Sequence, residues 1–244
     1  MRGLYLYLMV AVVGLGLMAD VSLGTVIYQD AFGRTGNLNG STPAPTNTGG
    51  ATWTAGAGFV TSATTSTATA GNNQIAAYLP LTLDGVGTYT LTATMTSSSA
   101  AGSGGYGLSL GFGVGTTSSI STSANVKAGI TLAPGRSRAW VNQSGTVTQP
   151  TITQASTTVA DTVTITLNSA TGAVVITDTL GYYTGKASSS FTLTSAQLSA
   201  INSVLIGGNS DTGTFSGFTL TYVPEPASLA VLSLGALALF RRRR

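Results

Sequence analysis

Apolar and polar residues alternate with a period of two along much of this chain. In residues 88–96 (TYTLTATMT), Tyr89, Leu91, Ala93 and Met95 fall on one side and threonines on the other. Successive side chains of a strand point to opposite faces, so this pattern predicts a strand with one face on a core and the other in water. Residues 106–114 repeat it, placing Leu108, Leu110, Phe112 and Val114 inward. Val163, Ile165 and Leu167 start another run, 168–172 carries turn residues, and 173–180 returns, which together predict a β-hairpin. Further strands are predicted over 26–32, 74–81, 126–132, 137–142, 190–193, 203–206 and 215–222. One short helical turn is expected where Thr194 and Gln197 have the spacing of a capping box, with Leu198 and Ile201 toward the core. Many alternating strands separated by Gly, Ser and Asn turns, with no long amphipathic helix, predict an all-β fold: an antiparallel two-sheet β-sandwich.

The two ends break this pattern. Arg2 is followed by an apolar stretch over 4–18 and then Ser22-Leu23-Gly24. A positive start, an apolar core and small residues at −3 and −1 predict a secretory signal peptide over 1–24, cut after Gly24. Cleavage after Ala19 and an uncleaved N-terminal anchor are the alternatives. At the other end, Pro224-Glu225-Pro226 precedes an apolar run of 14 residues, 227–240 (ASLAVLSLGALALF), and then Arg241, Arg242, Arg243 and Arg244. As a helix the run would reach about 21 Å at 1.5 Å per residue, short of a hydrocarbon core of roughly 30 Å. The arginines extend that reach by snorkelling and resist crossing. This predicts a short membrane helix stopped at its cytoplasmic end, with the body, 25–223, on the far side. An ordinary tail anchor or a buried core helix is the alternative.

Composition changes the picture mainly by what it removes. The net charge of +3 belongs to the ends. Within 25–223 the bases Arg34, Lys127, Arg136, Arg138 and Lys186 balance Asp30, Asp84, Asp161, Asp178 and Asp211, so five minus five is zero. No basic patch suits nucleic acid. Cysteine is absent, so packing and strand pairing hold the fold without disulfides. With no His or Cys, and no Glu in the body, the usual general bases and transition-metal ligands are missing.

The order Val223-Pro224-Glu225-Pro226-Ala227-Ser228, apolar run, arginine cluster resembles the PEP-CTERM sorting signal of Gram-negative bacteria. The resemblance implies handling by a membrane protease-transpeptidase of the exosortase type after export by the secretion machinery. Pro224, Glu225 and Pro226 would be the recognition motif, 227–240 the membrane segment, and Arg241 to Arg244 the stop. It further implies a transient stay at the inner membrane, then the cell surface or extracellular matrix. A second resemblance concerns the body. Gln29-Asp30-Ala31-Phe32-Gly33-Arg34, Leu38-Asn39-Gly40, Trp53, the turn at 168–172 and the closing 201–222 are similar to concanavalin-A-like (LamG-like) jelly rolls. Such domains typically bind carbohydrate or pack on neighbouring domains, and some are glycoside hydrolases.

Motifs of chemistry are weak. Gly107-Leu108-Ser109-Leu110-Gly111 matches a nucleophile elbow, but it is mid-strand and no histidine exists to serve it. Gly102 to Gly107 matches G-x-G-x-x-G with a strand, not a helix, following. Glycoside hydrolysis needs two placed carboxylates, which only scattered aspartates could supply. Asp30, Asn209 and Asp211 are candidate calcium ligands, Asn209 and Asp211 because oxygens alternate before a glycine; a polar turn is the alternative. Trp53, Trp140 and Tyr183 are candidate sugar-stacking rings, against the alternative that they are core. Asn39 and Asn142 begin glycosylation sequons, which a bacterial sorting tail makes coincidental. The expectation is a non-catalytic exported structural or adhesive protein needing no cofactor. A carbohydrate-binding module, with or without calcium, is second and a glycoside hydrolase third.

Overall fold

A computed structural model describes residues 24–65, 67–70, 75–97, 107–118, 120, 123–133, 138–148, 160–209 and 213–225. In chain order its strands are β1 (Thr25–Asp30), β2 (Gly36–Asn37), β3 (Pro45–Asn47), β4 (Thr54–Ala55), β5 (Val60–Ser62), β6 (Thr67–Ala70), β7 (Ile75–Pro80), β8 (Gly87–Ser97) and β9 (Gly107–Gly113). There follow β10 (Val126–Ala133), β11 (Arg138–Gln143), β12 (Thr146–Thr148), β13 (Asp161–Asn168), β14 (Ala173–Asp178), β15 (Ser190–Thr192), the single-turn helix α1 (Ser195–Ser199), β16 (Ser203–Asn209) and β17 (Gly213–Pro224). One sheet has the order β15-β14-β13-β8-β17-β6-β5-β2, with β1 paired to β17 and β3 to β1. The other runs β12-β11-β10-β9-β16-β7-β4. The fold is the expected all-β, antiparallel two-sheet sandwich.

The alternation read from the sequence becomes the core between the sheets. Tyr89, Leu91, Ala93 and Met95 of β8 are buried beside Val163, Ile165 and Leu167 of β13. Leu108, Leu110 and Phe112 of β9 face them with Ile130, Val204 and Ile206. Val114, expected inward, lies past the end of β9 and is half-buried. On the solvent face of β8 and β13 the threonines pair across the strands: Thr94 and Thr162 hydroxyls lie 2.8 Å apart, Thr92 and Thr164 3.2 Å. Such cross-strand pairs fix register as well as adding a few tenths of a kcal/mol.

The hairpin and the helical turn follow their local chemistry. Asn168 Oδ1 accepts from the Ala170 and Thr171 N–H groups at 3.0 and 2.8 Å, closing the turn. Gly172 holds φ +71° there. At α1 both halves of the capping box form: Gln197 N–H donates to Thr194 Oγ1 (3.2 Å) and Thr194 N–H to Gln197 Oε1 (2.8 Å). Ile201 is buried and Leu198 packs at the core margin.

The second face of the seven-stranded sheet is not open. Ala76, Ile120, Val126 and Leu205 form a separate apolar cluster on it. Chain from the β9–β10 connection lies on this face: Ala76 N–H donates to Thr117 O (3.0 Å), and Asn142 Nδ2 donates to Ile120 O (3.1 Å) and Ser123 O (3.2 Å). Ser109 is buried there, its hydroxyl 2.7 Å from that of Thr131, which accounts for the apparent elbow motif as strand packing.

Candidate functional site: the paired ends of the chain

β1 and β17 bring the two ends of the domain side by side. Their register runs Asp30↔Phe218, Gln29↔Thr219, Tyr28↔Leu220, and then, after an irregularity between Val26 and Tyr28, Val26↔Thr221 and Thr25↔Tyr222. Gly24, the residue expected before the signal cleavage point, immediately precedes β1. Tyr222 is fixed in three ways. It pairs with Thr25, its ring lies 4.7 Å from that of Tyr89, and its hydroxyl donates to Val86 O at 3.2 Å. Gly85 makes room for it, since a Cβ at that position would collide with the Tyr222 ring. Beyond it Val223 is 37% exposed and Pro224 ends β17. Proline has no N–H to continue a ladder, so pairing stops where the Pro-Glu-Pro segment starts. Glu225 is half-buried. Ser22, Pro226, the run 227–240 and Arg241, Arg242, Arg243 and Arg244 lie outside the described residues. Among the described residues no helix is long and apolar enough to cross a membrane.

The candidate calcium and sugar residues meet different fates. Asp30 is fully buried and its oxygens are taken: Arg34 binds both, Nη1 to Oδ1 and Nη2 to Oδ2 at 2.7 Å, Phe32 N–H donates to Oδ1 (2.8 Å) and Trp53 Nε1–H to Oδ2 (2.7 Å). It is the anchor of a structural clamp, not a ligand held open for a cation. Trp53 is 1% exposed, with Phe218 edge-on at 5.1 Å, so it belongs to the core and offers no ring to a sugar. Tyr183 is likewise enclosed and its hydroxyl donates to Thr131 O at 2.8 Å. Burial, then the nearby Asp178 and Asp161 charges, push that hydroxyl's pKa well above the usual tyrosine value. Trp140, on β11, is half-exposed and remains the sugar candidate. Asn209 ends β16, its side chain and Asp211 falling outside what is described. Among the described residues, no group of three metal-ligating side chains of the His, Cys, Asp or Glu type gathers.

Two residues the sequence reading passed over organise the loop after β14. Asp178 accepts from Tyr182 N–H (2.5 Å) at Oδ2, and from Tyr183 N–H (3.0 Å) and Thr184 N–H (2.9 Å) at Oδ1. Asp161 Oδ1 accepts from Thr179 N–H (3.1 Å), Thr179 Oγ1–H (2.8 Å) and Leu180 N–H (3.2 Å), while its buried Oδ2 has no partner. Burial raises the Asp161 pKa, and the Asp178 charge adds to it against the Thr179 hydrogen bond. The signal available in the sequence was an aspartate at a strand end followed by Thr and Gly, which marks a side-chain-capped turn.

Residues 223–244 match the PEP-CTERM protein-sorting motif. The expected tail is thereby shown, starting at the first residue after Tyr222. No curated protein matches the chain in sequence. Among solved structures, an endo-1,3-β-glucanase from Streptomyces sioyaensis aligns over 82% of this chain and 97% of its own, at 10% identity and TM-score 0.50. The metal-free carbohydrate recognition domain of Emp46p aligns over 78% and 96%, at 13% identity and TM-score 0.46. A sialidase aligns over 69% of this chain but 16% of its own, at 10% identity and TM-score 0.45. The glucanase likeness bears out the concanavalin-like sandwich, and at this identity it speaks for the fold alone. The PEP-CTERM motif thus follows a jelly-roll-like domain without an intervening linker, since β17 itself runs to Pro224.

Proposed function

We propose that this is an exported surface or extracellular-matrix protein with a structural or adhesive role, delivered through its PEP-CTERM tail by a membrane protease-transpeptidase of the exosortase type. The observation that carries the reading is the sorting motif at 223–244, joined directly to the last strand of a closed sandwich. The motif implies an exported protein processed at the membrane. The finer steps belong to the proposal: signal cleavage after Gly24, a passing stay of 227–240 in the inner membrane, and release to the surface or matrix. The non-catalytic role is supported by the use made of the body's carboxylates. Asp30 is committed to Arg34 and Trp53, and Asp161 and Asp178 hold backbone N–H groups of one loop. An acid–base pair for sugar hydrolysis would need two carboxylates open to a substrate, and Asp30 and Asp161 are buried. Neither the clamp nor the loop requires a cofactor.

The experiment is expression of the full chain in its native host with Pro224→Ala and Pro226→Ala together beside the unaltered protein. The unaltered chain is expected to lose its tail and reach the outside, while the double variant keeps Arg244 and stays with the membrane. Equal delivery of both forms would sink the proposal. A carbohydrate-binding role is the second reading, favoured by the half-exposed Trp140. Saturable polysaccharide binding by residues 25–225, lost on Trp140→Ala and compared with and without calcium, would establish it.

A further inference from the structure

The strand that delivers the sorting motif is paired with β1 from Phe218 up to Tyr222, the residue before the motif begins. Toward its end β17 is flanked by β1 on one side, with Thr25↔Tyr222 and Val26↔Thr221 in register, and by β8 on the other. Tyr222 is further held by the Tyr89 ring and by Val86 O. An extended peptide is commonly gripped through its main-chain N–H and C=O groups. From Phe218 to Tyr222 this strand is already paired with β1. Beyond Tyr222 there is little chain to spare. Four residue steps separate Val223 from Ala227, where the apolar run starts, at most about 14 Å of extended backbone. A membrane enzyme therefore meets the end of β17, Val223 and Pro224, with Glu225 and Pro226, and must draw on the part of β17 paired with β1 for anything more.

The opposing strand is built so that its first residues can leave without unravelling the rest. The register irregularity between Val26 and Tyr28 sets Thr25 and Val26 apart from the regular β1 pairing. Thr25 is exposed, and the Thr48 hydroxyl bond to Val26 O, at 3.2 Å, is also solvent-exposed. The main clamp of β1, Asp30 with Arg34 and Trp53, sits at the other end of that strand. Fraying of a terminal pair costs far less than global unfolding.

We infer that the fold meters its own sorting: Thr25 and Val26 form a clasp, Tyr222 an anchor, and the membrane protease engages the motif fully only when this clasp has opened. The inference rests on the sorting function proposed above. Where the competent state is a minor population, apparent affinity falls by its fraction, so the closed clasp slows tail removal.

The test follows tail loss by pulse-chase and mass in the native host for four proteins. These are the full chain, the chain with a ten-residue Gly/Ser spacer between Tyr222 and Val223, the Tyr222→Ala variant, and an unstructured exported carrier bearing 223–244. The spacer is expected to speed tail loss about ten-fold, and Tyr222→Ala, which keeps the domain's bulk beside the motif, to speed it in the same direction. Equal rates for the full chain and the spacer form, with the carrier processed, overturn the inference and leave the sorting function standing. A gain from the spacer with none from Tyr222→Ala in folded protein also overturns it, because bulk and not the clasp would then be the obstacle. Retention of the tail by all four, carrier included, removes the sorting function and the inference with it. The spacer lies beyond the last residue paired with β1, Tyr222, so it reports even where Tyr222→Ala fails to fold.

Discussion

Asp30 and Asp161 are both fully buried carboxylates, yet their surroundings give them opposite characters. Asp30 has a guanidinium bound to both oxygens and two further donors, so its charge is compensated inside the protein. Asp161 has three hydrogen bonds on one oxygen and, among the described residues, none on the other. Its folded pKa is raised, chiefly by burial. A group raised above its unfolded value, about 3.9 for aspartate, favours the folded state fully below that value and loses the contribution as pH rises through the folded one. Denaturant unfolding from pH 3.5 to 7 should therefore show a falling Asp161 contribution across that window. In Asp161→Asn the accepting oxygen is kept and the ionisation removed, so the difference between variant and parent should grow in the variant's favour as pH rises. A difference that is flat with pH would mean that Asp161 titrates as it does unfolded.

At the scale of elements, the β13–β14 hairpin depends on a glycine. Gly172 sits at φ +71°, and a Cβ there would lie 2.5 Å from Leu193 O, a backbone atom with little freedom to move. Gly172→Ala should cost about 2 kcal/mol, seen as a Tm lower by roughly 6 °C; an unchanged Tm would show that the turn relaxes freely. This hairpin, β8, β9 and α1 were all legible in the sequence because period-two runs and the Thr194/Gln197 box are local signals. The short strands β2 to β5 were not, since two or three residues cannot display a period and their places are set by partners such as β1 and β7. Two of the three aromatic candidates, Trp53 and Tyr183, turn out enclosed for a related reason. Alternation tells which residues share a face, but Trp53 and Tyr183 lie outside the regular runs, and only the folded Asp30 and Thr131 reveal what their polar atoms bind. The covering of the seven-stranded sheet's second face by the β9–β10 connection had no sequence signal beyond the buried glycines and Ser109.

At the scale of the whole domain, the first described strand pairs with the last, and β17 is an interior strand flanked by β8, β6 and β1. Neither half of the ten-stranded sheet can close before β17 is present, and its Phe215, Phe218 and Leu220 complete the core beside Phe59 and Trp53. Pairing so distant in sequence makes folding slow and late, because loop closure must precede the contacts that reward it. Residues 25–225 should then unfold in one cooperative transition and resist protease. Residues 25–212, which keep every strand but β17, should show no cooperative transition and be digested throughout. A cooperative melt from 25–212 would mean that β8 and β6 close the sheet unaided, and that the domain can fold before its sorting motif has emerged.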